Sequence, residues 1–153
     1  MSFLDIKNKR FVVFGLANKK SVACAIARCL MEEGAEVIHV VRSKERVANA
    51  RKLFPASPAF ICDVEEEANI IKVRDEIAEY IGAKGGGRID GIVHSIAFAN
   101  YSDGLKPFHQ TRKDDFLQAV NISCFSLISI ANHFRELLAV DGAVVTITIS
   151  TTR

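Results

Sequence analysis

The chain has 153 residues, 49% of them apolar, and 20 basic against 18 acidic side chains leave a net charge of only +2. That length accommodates one ordinary domain with its own core, and nothing in the near balance of charge suggests the basic surface of a nucleic-acid partner. No apolar run approaches the ~20 residues of a membrane span, and the opening MSFLDIKNKR lacks the apolar centre of a cleaved signal, so a soluble chain with no membrane partner is expected. The four cysteines, Cys24, Cys29, Cys62 and Cys124, sit in apolar stretches with no CxxC pair and no zinc-type His/Cys spacing. They read as buried, reduced thiols, which points to the cytoplasm.

Five apolar runs alternate with amphipathic segments: Arg10 to Phe14, Glu36 to Val41, Ala59 to Cys62, Gly91 to Ser95 and Ala143 to Ile149. Runs such as VVTITI, apolar at nearly every position, suit strands covered on both faces. The pattern predicts an α/β Rossmann-like, doubly wound parallel sheet in one domain spanning 1–153.

In chain order, the first run ends in FGLANKKSVACAIA, residues 14 to 27. Gly15 permits a tight turn, and Ala17, Ser21, Ala23 and Ala25 keep side chains small around it, leaving room for a pyrophosphate. A helix starting near Ser21 would aim free N–H groups at an anion, with the Ser21 hydroxyl capping the helix or donating to phosphate. An ordinary serine-capped turn reads equally well from this stretch alone.

The second run ends VVRSKER, where dinucleotide folds distinguish a ribose with a 2′-phosphate from one without. Arg42 offers a bidentate guanidinium and Ser43 a hydroxyl, with Lys44 and Arg46 adding charge, a pattern that favours NADPH. Lys44 and Arg46 read equally as a solvated helix start. After the third run, Asp63 could accept from an adenine amino group or simply cap the helix proposed by EEEANIIKVRDEIAEYI, with Ile70, Ile77 and Ile81 along one side. Gly85 to Gly87 form a loop into the fourth run, DGIVHSIAFAN, whose small residues let the backbone at Ser95, Ile96 and Ala97 approach a ligand closely. A helix is predicted from Asp115 to Leu138. Phe116, Val120, Leu127, Ile130, Phe134 and Leu137 make its core face, and Leu117, Phe125 and Ile128 make the opposite side apolar too. Such a helix is usually buried on both sides, which indicates a homo-oligomer. His39, His94, His109 and His133 show no ligand spacing, and no metal site is expected.

Taken together, GLANKKSVACAIA, CDV and SIAFAN, continued by NISCFSLISIAN and VVTITIS, resemble the enoyl-acyl carrier protein reductases of bacterial fatty acid synthesis, divergent members of the short-chain dehydrogenase/reductase superfamily. Those enzymes replace the glycine fingerprint by Gly, five residues and Ser, as Gly15 and Ser21 stand here. The resemblance implies that Gly15, Ala17, Ser21 and Val22 hold the pyrophosphate and neighbouring ribose. It puts Arg42 at the 2′-position, Asp63 and Val64 at the adenine, and Ser95, Ile96 and Ala97 beside the nicotinamide half. Phe98 and Ala99 would edge the acyl pocket.

Implied with it are NADPH or NADH as cofactor, an enoyl thioester on acyl carrier protein as substrate, and a dimer or tetramer formed through helix 115–138. Asn121 matches a framework asparagine of many short-chain dehydrogenases, on which the enoyl reductases do not depend. The family's catalytic tyrosine, followed after six residues by a lysine, lies past the fifth strand and is expected beyond Arg153. Tyr80 and Tyr101 lack that spacing, and Thr151 stands where an aromatic residue is common. The resemblance therefore implies an N-terminal portion, carrying mainly the cofactor site and inactive alone. A non-catalytic NAD(P)-binding module and a ketone-reducing relative are the alternatives; the second would be expected to show a three-glycine turn and an NNAG-like fourth strand.

Overall fold

The computed structural model describes residues 4–148. Ile149, predicted to end the fifth strand, and Ser150 to Arg153, including Thr151, lie outside the described residues.

The first strand, β1 (Arg10–Phe14), is followed by helix α1 (Val22–Glu32), β2 (Glu36–Val41), α2 (Lys44–Leu53), β3 (Ala59–Ile61), α3 (Glu67–Ala83) and β4 (Ile89–His94). A short 3₁₀ turn (Phe108–Gln110) leads into α4 (Lys113–Val120), a π-helical turn (Asn121–Phe125), α5 (Ser126–Phe134) and β5 (Leu138–Thr146). The strands form one parallel sheet in the order β3-β2-β1-β4-β5. The chain winds outward from β1 to β3, then returns to β4 on the other side of β1. That reversal between β1 and β4 opens a crevice at the carboxyl ends of the strands.

Successive residues of a strand point to opposite faces, so the near-continuous apolar runs feed two cores. On one face Val12, Phe14, Ile38 and Ile92 pack against Ile70, Val73, Ile77 and Ile81 of α3 and Ile130 and Phe134 of α5. The edge-on contact of Phe14 with Phe134, ring centroids 5.8 Å apart, ties the crevice end of β1 to α5. On the other face Val13, Val37, Val41 and Val93 meet Ala23, Cys24 and Ala27 of α1 and Val47 and Ala50 of α2. The small side chains of α1 let that helix lie close to the sheet.

All five predicted strands are present; β3 stops at Ile61 rather than Cys62, β4 runs Ile89–His94 rather than from Gly91 to Ser95, and the largest displacement is at the C-terminal end. The expected helix over 115–138 stops at Phe134, and β5 begins at Leu138 rather than Ala143. The cause lies across the sheet: Arg88 donates to the carbonyls of Glu136 and Leu138, and the Ile89 N–H bonds the Leu137 carbonyl at 2.8 Å. These bonds draw the chain into register beside β4 as soon as the helix ends.

The expected core face is also only half right. Ile130 and Phe134 are fully buried, and Leu127 and Leu137 partly, but Phe116 and Val120 are exposed. The π turn inserts a residue between α4 and α5 and rotates the two halves out of phase. Ile122, Ser126 and Ser129 take the inward positions instead. Leu117, Phe125 and Ile128 form an exposed apolar side as predicted.

Of the cysteines, Cys24 and Cys62 are buried, whereas Cys29 and Cys124 are exposed, so the expectation of four buried thiols fails for two. Cys29 falls off the inward stripe of α1, and Cys124 sits in the π turn facing outward. None of the described helices is long and apolar enough to cross a membrane.

Candidate functional site

The turn after β1 is shaped by backbone constraints. Gly15 has φ +94°, and a Cβ placed there would stand 1.9 Å from the Ser95 carbonyl oxygen. Its N–H reaches the Val40 carbonyl at 3.1 Å, while the Ser95 N–H reaches the Phe14 carbonyl at 3.2 Å. Glycine is thus required for the ends of β1, β2 and β4 to meet around one point.

Ser21 is the N-cap of α1 but makes no side-chain cap; its hydroxyl donates to the Asn18 carbonyl at 2.7 Å. The expectation of a capping hydroxyl is therefore corrected. Asn18, absent from the sequence-based site, organises the turn by accepting the Lys20 N–H at 2.8 Å through its side chain. Its Asx-turn chemistry was the available signal. At the start of α1 the Cys24 and Ala25 N–H groups bond the Ser21 carbonyl at 3.0 and 3.3 Å, and the N–H groups of Val22 and Ala23 precede the first of these bonds. Arg46, read only as added charge, donates to the Ala17 carbonyl and braces this turn from α2.

At the end of β2, Ser43 caps α2 by accepting the Arg46 N–H. Arg42 reaches across to Asp63, Nε to Oδ2 at 3.4 Å, and its guanidinium lies 5.4 Å from the centre of the Phe98 ring. Asp63 does not cap α3, because the helix begins four residues later at Glu67 with Glu66 as N-cap. Asp63 instead shapes the loop before the helix. Its Oδ1 accepts the Glu65 N–H at 3.3 Å, and its carbonyl accepts the Asn69 side-chain amide at 3.2 Å. Beside it, burial above all, with help from Asp63 and Glu76, pushes the Cys62 thiol up to about 12. Cys62 is therefore a protonated, apolar wall rather than a nucleophile.

The end of β4 is held from below and above. His94, fully buried, places Nε2 2.8 Å from the Ser126 hydroxyl and Nδ1 3.1 Å from the Thr146 hydroxyl. Ser126 donates to the Ile122 carbonyl at 2.7 Å, so it accepts from a protonated Nε2, and Thr146 donates to Nδ1. Burial lowers the His94 pKa, in keeping with this neutral tautomer. Four residues on, the Ser123 hydroxyl accepts the Phe98 N–H at 2.9 Å and donates to the Phe98 carbonyl at 3.1 Å, clamping SIAFAN to the π turn. Asn121 donates to the Glu65 carbonyl at 3.2 Å, a bracket between the π turn and the loop before α3.

These elements bring Gly15, Arg42, Asp63, Val64, Ile96, Ala97 and Phe98 into the wall of one cleft, completed by Phe14, Cys62 and Ile122. Ala17, Ser21 and Val22, on the turn and at the start of α1, do not line it, and Ser95 is pressed beneath Gly15. Ala99 parts from Phe98 and lines a second cavity with Asn100, Tyr101, Asp115 and Phe116. Neither tyrosine of the chain enters the cleft: the Tyr80 hydroxyl donates to Glu36 at 3.3 Å, and Tyr101 is largely exposed.

The donor set suits a dinucleotide. Apolar walls at Cys62, Val64 and Ile122 flank a carboxylate, with a guanidinium at one edge and helix N–H groups near the glycine turn.

The sequence profile of the enoyl-(acyl carrier protein) reductases matches residues 15–153. The chain belongs to that family. It is 32% identical over 150 residues to the enoyl-(acyl-carrier-protein) reductase (NADPH) of Staphylococcus aureus, covering 95% of this chain and 57% of that protein. It is 33% identical over 144 residues to the NADH-designated reductase of Enterococcus faecalis, covering 94% of this chain and 56% of that one. The crystal structure of the Bacillus cereus reductase with NADP+ and indole naphthyridinone superposes with a TM-score of 0.84 at 34% identity, covering 94% of this chain and 56% of that one. The chain thus spans little more than half the length of these reductases.

Proposed function

We propose that this chain forms the dinucleotide-binding part of an NADH- or NADPH-dependent reductase of trans-2-enoyl thioesters carried on acyl carrier protein, acting in fatty acid synthesis. The observation that carries the reading is the single cleft at the β1/β4 crevice, where glycine turn, Asp63, Arg42 and the SIAFAN backbone converge. When bound, a reduced nicotinamide would supply a hydride to the β-carbon of the enoyl group, the double-bond pair passing to an enolate that is then protonated at the α-carbon. The contribution of these residues is positioning, which can account for much of such a rate.

Gly15, Ala17, Ser21 and Val22 hold the pyrophosphate, with the α1 N–H groups and dipole as the anion site. Asp63 accepts from the adenine amino group beside Val64, and Arg42 meets a 2′-phosphate. The backbone of Ser95, Ile96 and Ala97 lines the nicotinamide half, and Phe98 and Ala99 edge the acyl chain. Tyr80 and Tyr101 face elsewhere, so neither takes the enolate-stabilising role. The exposed apolar side of Leu117, Phe125 and Ile128 is assigned to a second copy, giving a homo-oligomer in the cytoplasm.

The test takes the product of the natural gene and offers crotonyl and acetoacetyl thioesters while NAD(P)H absorbance is followed. Consumption with the crotonyl thioester alone is expected. Consumption only with the ketone would overturn the assignment, and tight cofactor binding with no turnover would favour a binding module.

A further inference from the structure

Arg42 stands just past β2 and Phe98 four residues past the end of β4, and between those strands lies β1. The contact of the guanidinium with the Phe98 ring, at 5.4 Å, therefore spans the end of β1, above the glycine turn where a dinucleotide has to lie. Asp63 secures the same guanidinium from the far side at 3.4 Å. Phe98 is itself fixed, because Ser123 holds both its N–H and its carbonyl. The Arg42 side chain, 58% exposed against 36% for Asp63, is the more open to solvent of the ion pair.

We propose that Arg42, Asp63 and Phe98 form a latch across the cleft, so that the group able to hold a 2′-phosphate also obstructs entry of either cofactor. This rests on the dinucleotide reading above. A cofactor reaching from Asp63 to Ser95 has to displace the guanidinium from both partners. A 2′-phosphate then gives Arg42 a replacement partner of higher charge, whereas a 2′-hydroxyl leaves it with only a weak one. Phe98 thereby contributes to cofactor affinity through the hold it has on Arg42. Opening the latch also frees the ring that borders the acyl pocket.

An exposed ion pair and a surface cation–π contact are each modest, so the latch should weaken binding by several-fold rather than by orders of magnitude. The experiment is a fluorescence titration of NADH and NADPH into the wild-type protein, Arg42→Ala, Phe98→Leu and the double variant, with Arg42→Gln as a second, length-preserving substitution. Arg42→Ala and Arg42→Gln are expected to bind NADH roughly three- to tenfold more tightly and NADPH about tenfold or more weakly. Phe98→Leu, which keeps Arg42 available to phosphate, should tighten both cofactors by a similar factor of about two to five. The double variant should bind NADH no more tightly than Arg42→Ala alone, since one contact cannot be lost twice. Unchanged or weaker NADH binding by both Arg42 variants would overturn the latch, as would additive gains in the double variant. Failure of every protein, wild type included, to bind either dinucleotide would instead remove the underlying cofactor reading.

Discussion

At the residue scale, two glycines with positive φ separate backbone strain from steric contact. Gly15 and Gly34 have φ of +94° and +85°, but an added Cβ would meet Ser95 backbone at 1.9 Å in the first case and only the Lys7 side chain at 3.2 Å in the second. Gly34→Ala should therefore cost about 1 kcal/mol, the left-handed penalty alone, and Gly15→Ala roughly 2–4 kcal/mol, because β1 and β4 have to part. Urea denaturation of the two variants checks the difference. Equal losses would show that the Gly15–Ser95 approach is relaxed in solution. His39 supplies the acid-side prediction. It is fully buried against Phe54, ring centroids 4.7 Å apart, with no hydrogen-bond partner among the described residues, and burial lowers its pKa to about 4. Between pH 6.5 and 4 the unfolded chain takes up a proton that the folded one resists. Stability falls through that window, by at most about 3 kcal/mol, and this contribution is flat below it. His39→Phe, which keeps the stack, should show a smaller loss between pH 7 and 4.5, measured by thermal melts.

At the element scale, the join between β4 and α5 adds one polar network to the apolar packing of Ile89 and Ile92 with Ile130 and Phe134. Ser126 and Ser129 are both buried on α5, yet only Ser126 is bonded, to His94 and to the Ile122 carbonyl. Ser126→Ala leaves the His94 Nε2–H unsatisfied and should cost about 1–3 kcal/mol, while Ser129→Ala should be near neutral. Equal melting temperatures for the two would show that the Ser126–His94 bond adds nothing to stability. The same region shows why parts of the fold were legible and others not. β1 and β2 are legible to the residue because their apolar runs are bounded by charge and glycine; α3 is legible as a helix because Ile70, Ile77 and Ile81 keep helical phase, though it runs from Glu67 to Ala83, two residues later at each end than the stretch that proposes it. The α4–α5 face was misread since nothing in NISCF announces an inserted residue, and a straight helix carries Phe116 and Val120 inward. Leu137 and Leu138 fit a helix tail equally well; Arg88, some fifty residues earlier, decides against it. In the candidate site, Gly15, Asp63 and the SIAFAN stretch were legible from their place at strand ends. The reach of Arg42 to Phe98 and of Arg46 to Ala17 was not, because it exists only once β2, the turn and the loop after β4 are brought together.

At the scale of the whole molecule, two uncovered apolar features bear on assembly. β5 is an edge strand whose Val140, Val144 and Val145 are exposed, and Leu117, Phe125 and Ile128 are exposed on α4, the π turn and α5. An uncovered parallel edge and an uncovered helix face are each sites for a second chain, but they respond to different changes. Pairing at the edge is made by backbone groups and tolerates polar side chains on the helices. Packing of the helix face depends on Phe125 and Ile128 directly, and two glutamates there would have to be desolvated to preserve it. The residues 1–153 expressed alone should therefore associate at micromolar concentration, and Phe125→Glu with Ile128→Glu should shift them toward monomer by light scattering. Persistence of the associated species in that variant would move the contact to the β5 edge. A wild-type monomer would mean that neither surface is sticky enough to matter, and the helix face would lose its place in the proposed homo-oligomer.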